Sequence, residues 1–164
     1  MKKILAAAFA IICTMTMFTA CYNDDKSHTT QAITQTAVSN KWNATYNKCS
    51  IRLEGADLVY DYDGDPIIVV EMTFRNDSDK SRSCGYTFSV DAYQDGIECD
   101  TAFLWGENSE KYDTGTNTTD IKPGVEFTVY KAYMLRDETN RVDIEVKGFL
   151  DLSNEILFAK IYNL

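Results

Sequence analysis

The sequence predicts an all-β fold: an immunoglobulin-like antiparallel β-sandwich of about seven strands. Three observations carry this. Apolar residues recur at every second position in several stretches after residue 41. Turn-forming residues punctuate those stretches, and no stretch shows a convincing helical period. Period-two alternation is the mark of strands with one buried and one wet face, and about seven such strands in about 120 residues fit two packed sheets. A small closed barrel is the alternative packing.

The elements follow in order. Ile51 and Leu53 alternate with Arg52 and Glu54 and begin the first strand. Asp61-Tyr62-Asp63-Gly64-Asp65-Pro66 breaks the chain before a second stretch, Ile67 to Phe74, whose apolar start on both faces predicts a central strand. Asn76-Asp77-Ser78-Asp79 ends it, Asn76 being able to adopt a left-handed conformation at the exit. Cys84 to Ala92 alternates cleanly and leads to Asp95-Gly96, a tight hairpin signal. A plain hairpin register there sets position 92 opposite 99. Lys122-Pro123-Gly124 reads as a type II turn, with proline presetting φ and glycine supplying the positive φ that follows. Val125, Phe127 and Val129 form the next strand, and Val142, Ile144 and Val146 another. Asp151-Leu152-Ser153-Asn154 turns the chain into a last strand, Leu157 to Tyr162.

Residues 1–20 have a different character. Met1-Lys2-Lys3 is basic, and Ile4 to Ala20 carries no charge. The apolar part is of signal-peptide length, while Thr14, Thr16 and Thr19 make it too weak for a spanning helix. It ends Phe18-Thr19-Ala20-Cys21, which looks like the lipobox of bacterial lipoproteins, with Phe18 where leucine is usual. That resemblance implies cleavage before Cys21 and a diacylglyceryl lipid on its sulfur. The domain would then be extracytoplasmic and anchored to the bacterial membrane, since two or more acyl chains at about 0.8 kcal/mol per buried methylene hold stably. Residues 21–40 are mostly Thr, Ser, Asn, Gln and Asp, too polar to bury a core, and read as a flexible tether to a domain spanning 41–164.

Composition narrows function. The chain has 164 residues and 16 basic against 25 acidic side chains, a net charge of −9. Loss of the first 20 residues removes Lys2 and Lys3 and no acid, which takes the net charge to −11. Such a chain offers nothing to neutralise phosphates, so nucleic acid is not an expected partner. The one histidine, His28, lies in the tether, which leaves triad-type catalysis without its base. A glycosidase-like hydrolase needs only two carboxylates, but the sequence singles out no pair.

Five landmarks stand in a recognisable order: Asp63-Gly64-Asp65-Pro66, Phe74-Arg75-Asn76-Asp77-Ser78, Ala92-Tyr93-Gln94-Asp95-Gly96, Ile121-Lys122-Pro123-Gly124 and Ala132-Tyr133-Met134-Leu135. Over about residues 45–150 the chain is similar to the family catalogued as domain of unknown function 5067. The resemblance implies a bacterial lipoprotein with an immunoglobulin-like sandwich. It brings no catalytic residues.

The candidate sites are few. Asp61, Asp63 and Asp65 are a weak calcium candidate, hard oxygen donors in one loop without the later bidentate glutamate of an EF-hand. Cys49, Cys84 and Cys99 allow at most one disulfide, with Cys49 bridging Cys84 or Cys99, or three buried thiols. Trp105, Tyr112 and Trp42 are the candidate ligand-binding residues, because exposed aromatics dominate binding hot spots and stack on sugars. Trp105 opens the longest irregular stretch, 106–120, and long loops in small domains tend to be functional. The expected function is a non-catalytic, lipid-anchored module of the cell envelope that binds another protein. A carbohydrate or small-ligand module using exposed aromatics is the alternative, and a carboxylate-based hydrolase is a further one. No cofactor is expected beyond the lipid on Cys21.

Overall fold

The computed structural model describes residues 31–32 and 42–164. The expected signal peptide, Cys21, His28 and the expected tether apart from Gln31 and Ala32 lie outside the described residues. The remainder forms two antiparallel sheets face to face. One sheet holds β1 (Gln31–Ala32), β2 (Ala44–Tyr46), β3 (Cys49–Tyr60), β4 (Pro66–Asn76) and β7 (Glu126–Met134). Its path runs β1-β3-β4-β7, and β2 pairs with β3 as well. The other sheet runs β6-β5-β8-β9, from β5 (Phe88–Gln94), β6 (Ile97–Glu98), β8 (Val142–Gly148) and β9 (Ile156–Tyr162). The all-β sandwich expected from the period-two pattern is thus the fold. Closure into a barrel does not occur, since each sheet keeps its own ends.

The inward faces follow the alternation. Ile68, Val70, Met72 and Phe74 of β4 meet Phe88, Val90 and Ala92 of β5 and Val142, Ile144 and Val146 of β8 in one apolar core. In β3 the phase changes. Leu53 pairs with Met72 and Gly55 with Glu71, so Glu54 is a bulge residue. Ile51 and Leu53 point inward before it, Ala56 and Leu58 after it. Asp95 and Gly96 both have positive φ, 51° and 74°, the pair a type I′ hairpin needs. The amide of Cys99 bonds Ala92, as the hairpin register predicts. Gly124 has φ 80° and the amide of Val125 bonds Lys122 at 3.3 Å, the expected type II turn.

Two local expectations change, and the alternatives left open for the cysteines are decided. Asn76 is not left-handed but ends β4 extended, with its side chain fully buried. Its Nδ2 donates to the carbonyls of Lys80 (2.7 Å) and Ile121 (2.8 Å), and its Oδ1 accepts from the Ser78 amide (3.0 Å) and hydroxyl (2.6 Å). It pins two loops beyond the strand exit it was expected to cap. Cys84 to Thr87 is a turn, with Phe88 N bonded to Cys84 O at 2.8 Å, so that strand starts later than its alternation implied. Cys49, Cys84 and Cys99 are all free and buried. Burial pushes the Cys84 thiol up to about 12 and raises the other two, so none is a ready nucleophile.

Gln94 repeats the logic of Asn76 at the other end of the sandwich. Fully buried, it donates to the carbonyls of Asp137 and Asn140 and accepts from the Arg136 amide. Two lysines also face inward from outer strands. Lys131 of β7 is opposite Val70 and donates to the Val90 carbonyl at 2.5 Å. Lys160 of β9 is opposite Ile144 and reaches the Leu53 carbonyl at 3.4 Å. Burial lowers the pKa of both.

Candidate functional site

After β6 the chain crosses from one sheet to the other. The amide of Met134 bonds Asp100 and that of Ala102 bonds Ala132, each at 2.9 Å, so residues 100–102 line the outer edge of β7. Beyond them lie Phe103-Leu104-Trp105, a five-residue helix α1 (Glu107–Lys111), Tyr112 and a 3-10 turn (Thr114–Thr118). The 3-10 turn is capped by the Asp113 carboxylate, which accepts from the Gly115 amide at 2.9 Å. The stretch expected to be an irregular loop is therefore a folded cover on the outer face of the β3-β4-β7 sheet.

The cover has its own core. Val59, Ile67, Val69 and Ala132 face outward from the sheet and are buried beneath Ala102 and Tyr112. This explains why Ile67 to Val70 is apolar on both faces. Tyr112 is 4% exposed. Its ring meets Tyr130 edge-on at 5.6 Å, and its hydroxyl donates to the Asp57 carboxylate. Lys111 stands 3.5 Å from the same carboxylate and 4.5 Å from the ring centroid. Burial, then the hydrogen bond to Asp57, raises the Tyr112 phenol. Tyr112, expected as a ligand contact, is a packing anchor with no face left for a ligand.

Trp105 behaves differently. It is 71% exposed, beside Phe103 at 78% and Tyr62 at 95%. With Tyr60, Asp61, Ile67, Leu104 and Gly106 these three rings line a groove of about 170 Å³. Two segments build it. The Asn108 side chain donates to the Tyr60 carbonyl at 3.1 Å and holds α1 to the end of β3. Across the groove the Asp61 carboxylate accepts from the amides of Asp63 and Asp65 and shapes the turn that presents Tyr62.

Trp42 is elsewhere. It is half-buried, with the Arg52 guanidinium 5.4 Å from its ring centroid. Arg52 and Tyr60 are eight residues apart on β3, so the two tryptophans are separated by roughly 25 Å at ~3.3 Å per residue. The structure does not bring Trp42, Trp105 and Tyr112 together. It groups Trp105 with Tyr62 and Phe103 instead. A signal for these was present: Phe103-Leu104-Trp105 is an apolar triplet outside any strand period, and Tyr62 sits in an Asp-Gly turn where a core residue has no place. Asp61, Asp63 and Asp65 do not converge. Among the described residues no group of three His, Cys, Asp or Glu side chains is placed to hold a metal ion. A second, larger groove at the far end carries exposed Leu150 and Leu152 on a hairpin tip.

The profile of the family described as domain of unknown function (DUF5067) matches residues 24–148. The chain belongs to this family. The match covers every landmark named above. Three solved structures share the fold at low identity. A chain described as a "putative lipoprotein" from Staphylococcus aureus aligns with TM-score 0.59 at 15% identity, over 71% of this chain and 84% of that one. A conserved hypothetical protein from Bacillus anthracis gives 0.53 at 17%, over 76% and 99%. A protein from Enterococcus faecalis gives 0.55 at 16%, over 72% and 86%. No curated protein matches the chain. Among the described residues no helix is long and apolar enough to cross a membrane.

Proposed function

We propose that the chain is a lipid-anchored, extracytoplasmic, non-catalytic binding module, and that another protein docks on the rim formed by Tyr62, Phe103 and Trp105. One observation carries the docking surface. Three large aromatic rings stand exposed around a single groove, on segments fastened to the sheet by a separate buried cluster. Aromatic anchors on a rigid support lose little entropy on binding and are enriched in interface hot spots. The anchor rests on the uncharged leader ending Phe18-Thr19-Ala20-Cys21 and on the likeness to the S. aureus chain described as a lipoprotein.

Two experiments test the two halves. Cys21→Ser is expected to release the domain from the membrane or leave the precursor uncut. Unchanged processing and retention would refute the anchor. A photo-cross-linker at position 103 in intact cells is expected to capture a protein that the same probe at position 152 does not; equal capture at both positions would refute the rim as the docking surface. A carbohydrate reading has one observation in its favour, the Asp61 carboxylate beside the Tyr62 and Trp105 rings. It predicts that a sugar protects Trp105 emission from quenching.

A further inference from the structure

We infer that the partner segment seated on the Tyr62–Phe103–Trp105 rim is cationic, with a lysine or arginine side chain lying across the Tyr62 and Trp105 rings. This rests on the binding reading above and gives the partner its chemistry.

Charge around the rim comes first. Asp61 lines the groove, Asp63 and Asp65 are exposed in the same turn, and Glu107 follows the lining Gly106. None of these four acids has an ion-pair partner among the described residues, although seven ion pairs occur elsewhere among those residues. A partner that covers the rings must therefore approach these carboxylates and strip part of their water. Without a positive charge opposite them, that desolvation opposes binding. A neutral or acidic partner is disfavoured by the same groups that would attract a basic one.

The rings themselves come second. Among the described residues, Trp42, Tyr112, Tyr133, Tyr93 and Tyr162 each carry one of the domain's own cations over the ring face. The cations are Arg52, Lys111, Lys131, Lys147 and Lys160 respectively, at 4.5 to 5.6 Å from the centroids. Tyr62 and Trp105, among the most exposed rings of the domain, have no such cation among the described residues. Their faces are open to one from outside. An external guanidinium or ammonium would meet ring quadrupoles and unpaired carboxylates together, which is the arrangement that favours cations over neutral groups.

The test uses the full chain carrying Cys21→Ser and Trp42→Phe, which leaves Trp105 as the sole tryptophan. The probe is a tetra-arginine amide, with tetra-glutamate as control, and Trp105 emission is the readout. Tetra-arginine is expected to give a saturable change that weakens as salt is raised, and tetra-glutamate none. Tyr62→Ala and, separately, Asp63→Asn with Asp65→Asn are each expected to raise the Kd at least fivefold. Unchanged affinity in Tyr62→Ala would overturn the inference, since a net negative chain attracts any polycation diffusely. A shift of Trp105 emission by phosphatidylcholine vesicles, with or without phosphatidylglycerol, in the absence of peptide would overturn it in favour of a lipid surface. Capture at position 103 of a protein through a segment lacking Lys and Arg would refute the charge assignment and leave the docking reading standing.

Discussion

Tyr112 is the residue on which the position of the rim depends, and its removal can be worked through. Tyr112→Ala deletes a ring that is 4% exposed and packs on Val59, Ile67, Val69 and Ala132. Losses of buried aromatics cost about 3–5 kcal/mol, and the edge-on pair with Tyr130 lies within that figure. Tyr112→Phe keeps the ring and deletes only the hydroxyl. Asp57 is about a third exposed and retains Lys111 at 3.5 Å, so water can replace the lost donor and the cost is about 1 kcal/mol. The two variants should therefore differ by about 2–4 kcal/mol. The cover can respond in two ways. If it unfolds with the domain, the urea midpoint falls accordingly. If it lifts off alone, the midpoint barely moves, but exchange of the amides of Ala102, Tyr112 and Met134 accelerates about a hundredfold at ~3 kcal/mol. Urea unfolding and hydrogen exchange together distinguish these cases. A Tyr112→Ala protein with both an unchanged midpoint and unchanged exchange would refute the cover as a packed layer.

Further expectations follow from single groups. The amides of Asn140 and Thr139 hold the Asp137 carboxyl at about 2, below its ordinary 3.8. A depressed folded-state value gives stability that is present above pH 4 and lost as pH falls towards 2. Thermal melts should show this loss, and Asp137→Asn should shrink it. An equal loss in the mutant would refute the assignment. The three domain thiols should resist a disulfide reagent at pH 8 until denaturant is added, and a reductant should leave the melting temperature unchanged. A reductant-sensitive melt would show a bridge. Tyr162 is fully buried and its hydroxyl has no partner among the described residues. Tyr162→Phe should raise stability, by about 1 kcal/mol, in urea unfolding, and a loss would reveal a missed partner.

Much of the sandwich is legible in the sequence because β4, β5 and β8 keep phase and the turns use residues suited to them. Asp95-Gly96 and Pro123-Gly124 are the clearest examples. Phase is also where reading stops. The bulge at Glu54 moves the inward set of β3 by one residue, so Ile51 and Leu53 do not announce Ala56 and Leu58. Helix α1 is Glu-Asn-Ser-Glu-Lys with no buried residue, and it leaves no apolar period to detect. The site was half legible. Trp105 stands out as an aromatic in a loop, and it is exposed. Tyr112 looks the same in sequence, yet it is buried because its environment is assembled from β3, β4 and β7, which no local pattern encodes. Asn76 illustrates the same limit. Asparagine at a strand exit satisfies turn chemistry, and only the approach of Ile121, 45 residues on, turns it into a buried hub.

The inward lysines of β7 and β9 bear on how such a domain behaves at high density. A bare sheet edge is a template for a neighbouring molecule's strand, and continuous cross-molecule sheets are the route to fibres. β9 has β8 on one side and, among the described residues, no strand on the other. At its centre Lys160 turns its ammonium towards the mouth of the sandwich, where it reaches the Leu53 carbonyl. A second molecule extending that sheet would seal the mouth and bury the charge further from water. Lys131 sets the same condition on β7, whose outer edge is also occupied by residues 100–102. Edge-to-edge growth is thus opposed by two charges on inward-facing side chains of outer strands, with no charge spent on the outer surface.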